Sequence, residues 1–257
     1  VHSIMEDKIF GASGNQVVVE EFITGPEVSV LSFTDGKTVV PMVSSKDHKR
    51  AYDGDRGLNT GGMGTISPNP HYSGEMAQRC MKEIFQPTID AMREEGRPFQ
   101  GCLYFGLMLT QDGPKVIEYN SRFGDPETQV VLPRLKTDLV EILEACIDGT
   151  LKDLDIQWSD EAAACVVMAS GGYPKSYPKG IEIKGLDENG QISGATVYHA
   201  GTVYRDGRFF TNGGRVLGVT ACGAALDEAL EKAYGAVERI SFDGAHYRKD
   251  IGKIGIQ

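Results

Sequence analysis

With 257 residues, the chain is long enough for one large domain or two ordinary ones with proper cores. Its formal net charge of -10 excludes the broad basic surface that nucleic acid or an anionic membrane requires, so any bound phosphate has to be held locally. Apolar and charged shares of 40% and 24% are ordinary for a globular protein, but 32 glycines exceed the usual share of about 7%. That surplus predicts tight turns or close backbone approaches to a ligand.

No apolar run approaches the roughly 20 residues of a membrane-crossing helix, and no secretory signal is visible. The five cysteines (Cys80, Cys102, Cys146, Cys165, Cys222) are odd in number, scattered and free of a CxxC pair. They read as buried thiols of a cytoplasmic protein, without zinc or disulfide work. The opening VHSIMEDKIFG has no initiator Met and resembles the last turn of a helix, so the chain is expected to be the middle of a longer protein.

In chain order, QVVVEEFIT (16–24) is β-branched and bounded by glycines, which predicts a strand. EVSVLSFT (27–34) and KTVVPMVS (37–44) predict a hairpin turning at Asp35-Gly36. Residues 45–72 have little periodicity and many Gly, Asp, Asn and Pro; a loop of that length is functional or disordered. Residues 73–96 predict a helix capped by Ser73 and kinked at Pro87. GCLYFGLMLT (101–110) and KVIEYN (115–120) predict a second hairpin, and a helix is expected over 136–148. A polar stretch, 148–161, precedes strand AAACVVMAS (162–170). Short strands are expected near 181–184, 195–204 and 214–221, with Asp206-Gly207 as a hairpin turn, then a helix near 224–240. A domain boundary is expected around 152–158.

The chemistry concentrates in VIEYNSRFGDPE, residues 116–127. Period-two spacing puts Val116, Glu118, Asn120 and Arg122 on one strand face, with Lys115, Ile117 and Tyr119 on the other. Glu118 and Asn120 suit a hard cation such as Mg²⁺, provided substrate phosphates complete its shell. Arg122 would stand where charge develops on a transferring group. A solvated strand edge with an ion pair is the bland alternative. EEFITGPE (20–27) is either a hinge reading an adenine edge, with Glu27 on a ribose, or a plain strand and turn. In the long loop, SSKDHKR (44–50) and NTGGMG (59–64) are an anion-wrapping nest or a solvated loop. His48 is a proton shuttle or a surface residue. TNGGRVLGV (211–219) is turn and strand, with an anion contact through Arg215 as the lesser reading.

In order and spacing, EEFITGPE, SSKDHKR, NTGGMG, GGYP and VIEYNSRFGDPETQ resemble the phosphoribosylamine–glycine ligase family, ATP-grasp enzymes of de novo purine synthesis. The likeness extends along essentially the whole chain, through TNGGRVLGVTA and YRKDIG. It implies an α/β (α+β) fold: the carboxyl part of an ATP-grasp domain over 1–152, then a smaller mixed α/β domain over 153–257. It implies ATP and Mg²⁺, with Mn²⁺ as a substitute, and Glu118 and Asn120 as metal ligands. Glu20, Glu21, Phe22, Ile23 and Glu27 would line the adenosine pocket, and Arg122 and Asp125 would be catalytic. Lys46, Asp47, His48, Lys49, Arg50, Asn59, Thr60, Gly61 and Gly62 would face substrate.

The implied reaction joins glycine to 5-phosphoribosylamine through a glycyl phosphate, giving glycinamide ribonucleotide, ADP and phosphate. Two departures stand out. GLMLT (106–110) lacks the second acidic metal ligand that many ATP-grasp relatives carry on the preceding strand. The amino-terminal substrate domain and the glycine-rich lysine loop over the phosphates are also missing. The chain is therefore expected to be a carboxy-terminal portion, inactive without its amino-terminal partner portion. The alternatives are a non-catalytic nucleotide-binding module, or a related ATP-grasp carboxylase or ligase. Residues 45–66 have few apolar anchors, so part of that loop is expected to be mobile until ligand binds.

Overall fold

The computed structural model describes residues 1–253; the last four positions of the expected 153–257 domain lie outside the described residues. In chain order, helix α1 (His2–Met5) precedes strands β1 (Glu27–Asp35), β2 (Val39–Pro41), β3 (Lys46–Asp47), β4 (Arg50–Tyr52), β5 (Arg56–Asn59) and β6 (Gly64–Ser67). Helices α2 (Gly74–Cys80) and α3 (Gln86–Glu94) follow, then strands β7 (Gln100–Thr110) and β8 (Gly113–Asn120) and helices α4 (Thr128–Val131) and α5 (Leu139–Asp148). The remainder is β9 (Ala162–Ala169), β10 (Glu182–Ile183), β11 (Thr196–His199), β12 (Thr202–Arg205), β13 (Arg208–Thr211), β14 (Arg215–Gly223) and α6 (Leu226–Val237). Among the described residues, no helix is long and apolar enough to cross a membrane.

Two antiparallel sheets carry the molecule. The first runs β2-β1-β7-β8 and the second β11-β14-β9-β6-β3. Apolar residues alternate along β1 and β7, which pair from Glu27 opposite Met108 to Asp35 opposite Gln100. One face of this first sheet packs Val30, Phe105 and Leu107 on Phe85 and Ile89 of the α2–α3 segment. Its other face packs Leu31, Phe33 and Tyr104 with Val131, with Ile142 of α5, and with Ala163 and Cys165 of β9, so the two sheets share one core. Helix α6 closes the far side of the second sheet through Ala229, Ala233 and Val237. Smaller pieces complete the fold: the sheet β10-β13-β12 and the isolated hairpin β4-β5.

Several local expectations hold for physical reasons that can be named. The Asp35 carboxylate accepts the N–H groups of Lys37 and Thr38, and Gly36 takes φ 88°, so the β1–β2 turn forms as its residues require. Ser73 Oγ caps α2 by accepting from Met76 N–H at 3.1 Å. Asp138 caps α5, and Gly149 ends it in the left-handed region. Asp206 and Gly207, both at positive φ, turn β12 into β13.

Others need correction. Residues 16–24 do not form a strand: no described strand pairs with them, and Val18, Val19 and Phe22 are 84%, 84% and 90% exposed. β-branched composition favours an extended backbone, but a strand also needs a ladder partner. Residues 45–72 are not a long unstructured loop. They supply β3, β4, β5 and β6, anchored by fully buried Ala51, Met63 and Ile66. Three wholly buried apolar residues suffice as anchors although Tyr52 and Leu58 stay exposed, and glycines at positive φ (Gly54, Gly57, Gly62, Gly64) hide the strand period. At Pro87, where a kink is expected, the helix runs on from a π turn, Met81–Phe85, into α3. Proline removes one N–H from the helical ladder, and the widened turn is where the mismatch is absorbed. The five-stranded sheet takes β3 and β6 from one side of the 152/153 boundary and β9, β11 and β14 from the other.

Candidate active site

Strand β8 does not alternate as simple periodicity predicts. Leu107 opposes Val116 while its neighbour Gly106 opposes Glu118, so Ile117 is an inserted bulge residue. Val116 therefore packs on the helix-covered side with Leu107, and Tyr119 joins it, its ring 5.5 Å from Phe105. Glu118 and Asn120, opposite Gly106 and Tyr104, share the other face. A Cβ on Gly106 would come within 2.9 Å of Glu118 Cγ, so glycine there gives the carboxylate room to lie across the sheet. The expected grouping thus holds for Glu118 and Asn120 and fails for Val116.

The face is completed by β1 and by the residues that follow β3. Lys49 Nζ stands 3.5 Å from Glu118 Oε1 and 3.6 Å from Glu27 Oε2. Burial alone would lower the Lys49 ammonium, but Glu27, Glu118, Asp47 and Glu127 outweigh it and hold its pKa above the usual value. Lys49 is thus a fixed cation facing four carboxylates. Two of these are set deep. Burial, and then the Glu127 charge, pushes Asp47 well above the usual carboxylate range. Burial raises Glu127 as well; its Oε1 accepts from Ser29 Oγ at 3.3 Å, and Ser29 Oγ in turn meets Tyr104 OH at 2.8 Å.

The glycine-rich stretch is pinned from the second sheet. Arg215 Nη1 donates to Gly61 O at 2.7 Å and Asp125 O at 2.8 Å, and lies 3.2 Å from Asp125 Oδ1. Tyr173 OH accepts the Gly61 N–H at 3.1 Å. Thr60 Oγ1 donates to Lys49 O and accepts from Gly62 N–H. Gly62 has φ 113°, and a Cβ there would come within 2.6 Å of Asp47 Oδ1.

Contacts link Glu118 and Glu27 through Lys49, Lys49 to Gly62 through Thr60, Gly62 to Asp47 by close approach, and Gly61 to Asp125 through Arg215, while Asn120 shares the strand face of Glu118. Lys46 lies beside them, half-buried on β3. Arg50 and Asn59 pair across the exposed β4–β5 hairpin, with Arg50 Nη1 donating to Gly57 O at 2.9 Å. Glu20, Phe22 and Ile23 stay in the extended segment, and Glu21 pairs at 3.0 Å with Lys115, which lies opposite Met108 on β8. Arg122 is exposed, just beyond the end of β8, and its guanidinium donates to Phe123 O at 2.9 Å. His48 is only 4% exposed, with Nδ1 donating to Gly64 O and Nε2 accepting from Gly252 N–H. Both ring nitrogens are occupied, so His48 is a buried strut and neither a proton shuttle nor a substrate contact. Glu127 and the Ser29–Tyr104 pair escape a reading by motif, because burial and contacts distant in sequence create their role.

Among the described residues, no three or more His, Cys, Asp or Glu side chains gather to hold a metal unaided. Glu118 and Asn120 offer two hard oxygen donors on one face. That set fits Mg²⁺ that takes its other ligands from phosphate oxygens and water.

The sheets and this site define an ATP-grasp protein. The fold recurs in the urea carboxylase of Kluyveromyces lactis (TM-score 0.62, 13% identity, 86% of this chain and 18% of that chain). The crystal structure of phosphoribosylamine–glycine ligase from Thermotoga maritima superposes better: TM-score 0.81 at 36% identity, over 90% of this chain and 57% of that one. Residues 1–128 match the family description "Phosphoribosylglycinamide synthetase, ATP-grasp (A) domain", and 163–254 match its "C domain". The chain belongs to the phosphoribosylglycinamide synthetase family. It is 50% identical to the phosphoribosylamine–glycine ligase of Caldanaerobacter subterraneus subsp. tengcongensis, over 96% of this chain and 59% of the relative. It is 54% identical to the trifunctional purine biosynthetic protein adenosine-3 of Gallus gallus, over 98% of this chain and 25% of the relative. The chain therefore spans well under two thirds of the curated relatives it matches.

Proposed function

We propose that this chain carries the metal, nucleotide-phosphate and carboxylate-activating site of a phosphoribosylamine–glycine ligase. The observation that carries the reading is the alignment of Glu118 and Asn120 on one face of β8, with Lys49 bridging Glu118 to Glu27. Neutral-pH glycine is a poor acyl donor because its carboxylate resists nucleophiles. Transfer of the ATP γ-phosphoryl to that carboxylate gives glycyl phosphate and ADP. The amine of 5-phosphoribosylamine then attacks the carbonyl carbon, loses a proton and expels phosphate, leaving the amide of glycinamide ribonucleotide.

In this reading Glu118 and Asn120 hold Mg²⁺. The bound ion would draw charge from the phosphate oxygens. Lys49 keeps Glu27 and Glu118 from repelling the incoming nucleotide, and its raised pKa keeps it charged at neutral pH. Arg215 ties Gly61 to Asp125, closing the cleft behind the phosphates. The reading includes a cytoplasmic location, where the five cysteines stay free thiols.

Glu118→Gln is the test, made in the natural full-length protein. It removes one exposed ion pair, a contribution of about 0–1 kcal/mol, so folding should survive. Mg²⁺-dependent formation of glycinamide ribonucleotide should fall by orders of magnitude. Unchanged turnover at limiting Mg²⁺ would remove Glu118 from the metal site and the reading with it.

A further inference from the structure

Hairpin β4–β5 belongs to neither large sheet, and an isolated two-stranded hairpin is marginal in water. What holds it is a segment almost 200 residues away. Arg248 is the largest fully buried side chain, 1% exposed. Its Nε and Nη2 donate to the two carboxylate oxygens of Asp250 at 2.7 and 2.8 Å. Its Nη1 crosses to the hairpin, donating to Asp55 Oδ1 at 2.7 Å and to Arg50 O at 3.1 Å. Asp250 Oδ2 also accepts the Gly54 N–H at 2.7 Å, and Asp53 Oδ1 accepts the Lys249 N–H at 2.8 Å. His246 Nε2 donates to Ala51 O at 2.7 Å, and its ring stands edge-on to Tyr52 at 5.2 Å. The segment is itself fixed from α6, whose Tyr234 OH donates to Arg248 O and accepts from Ile251 N–H.

We propose that Arg248 is a positioning residue. Through Asp55 and the Arg50 carbonyl, it sets the β4–β5 hairpin, which begins at the residue after Lys49 and exposes the paired Arg50 and Asn59. Because Lys49 immediately precedes Arg50, a shift of the hairpin reaches the site directly. A buried guanidinium with two carboxylates is a poor device for raw stability, because desolvation offsets most of the attraction. It is a good device for fixing one arrangement, because the planar fork admits few geometries. Lysine would keep the charge and lose the fork. The functional half of this inference rests on the ligase reading, together with the family resemblance that sets Arg50 toward substrate.

Two variants test it in the natural full-length protein: Arg248→Lys, and Asp55→Asn, which leaves the Arg248–Asp250 pair intact. Amide hydrogen exchange without ligands should accelerate at least tenfold over residues 50–59 and stay unchanged in β1, β7 and β9. In kinetics, Arg50→Ala should raise the KM for the phosphoribosyl substrate severalfold, and Asp55→Asn should raise the same KM, with kcat within twofold. In an Arg50→Ala background, Asp55→Asn should add nothing further, since it acts through Arg50. Unaltered exchange over 50–59, an unaltered KM, or effects that simply multiply in the double variant would each overturn the proposal. Failure of the ligase reading looks different: the unsubstituted protein forms no glycinamide ribonucleotide, and exchange alone then decides whether Arg248 holds the hairpin.

Discussion

His48 shows how burial alters what a residue does. In sequence it sits between Asp47 and Lys49 in a heavily charged stretch, yet the fold buries it and occupies both ring nitrogens. Burial first, then the positive charge of Arg248 and Lys46, lowers its pKa from 6.5 to about 4. The unfolded chain therefore binds a proton near 6.5 that the native state refuses until about pH 4. Stability from His48 is fully present above pH 6.5 and is lost as pH falls toward 4, by about 3 kcal/mol in all. Asp47 and Glu127, whose pKa values are raised, act with the opposite sign and lose stability as pH rises. Comparing His48→Gln with the unsubstituted chain isolates the histidine. The difference in unfolding free energy should shrink between pH 6.5 and 4, as urea titrations would show, and a pH-independent difference would contradict it.

At the scale of elements, the bulge in β8 and the glycine stretch 61–64 are the devices that shape the cleft. Without Ile117 as an inserted residue, Val116 and Glu118 would share a face, and the carboxylate would take the side now packed on α2–α3. Gly62 has a comparable role: its φ of 113° disfavours any side chain, and a Cβ would strike the Pro126 ring and the Asp47 carboxylate. Gly62→Ala should cost more than about 2 kcal/mol, combining backbone strain with displacement of Asp47. Gly149→Ala, at φ 72° with open space around its Cβ, supplies a control expected to cost about 1 kcal/mol. Denaturant midpoints compare the two directly; equal losses would mean that strain alone acts at Gly62 and that the close approach is irrelevant.

For the whole molecule, the shared core decides cooperativity. Strand β6 pairs with β9, from Gly64 opposite Val166 to Ser67 opposite Ala163, and Ile66 is fully buried with Val166 and Val219. Cys165 and Ala163 of β9 meanwhile pack with Leu31 and Phe33 of the first sheet. The chain should therefore unfold in a single transition rather than as two halves separated near residue 152. Ile66→Ala should lower that transition by about 2–5 kcal/mol without splitting it. Calorimetry with a second, separate peak would show that the sheets fold independently.

Much was legible in the residues themselves. The β1–β2, β7–β8 and β12–β13 hairpins follow from alternation and from Asp-Gly or Asp-Gly-Pro turns, and helix α2 from its Ser73 cap. Such signals act over a few residues, so no distant partner is needed. Glu118 and Asn120 were found the same way, because spacing by two survives beyond the bulge. The remainder depended on partners far along the chain. Residues 16–24 have strand composition without a ladder, and His48, Glu127, Arg215 and Arg248 take their roles from contacts spanning some 90 to 200 residues. Local sequence determined backbone conformation and donor type; only tertiary structure decided burial, and with it which charges persist and which side chains meet, because desolvation depends on every neighbour at once.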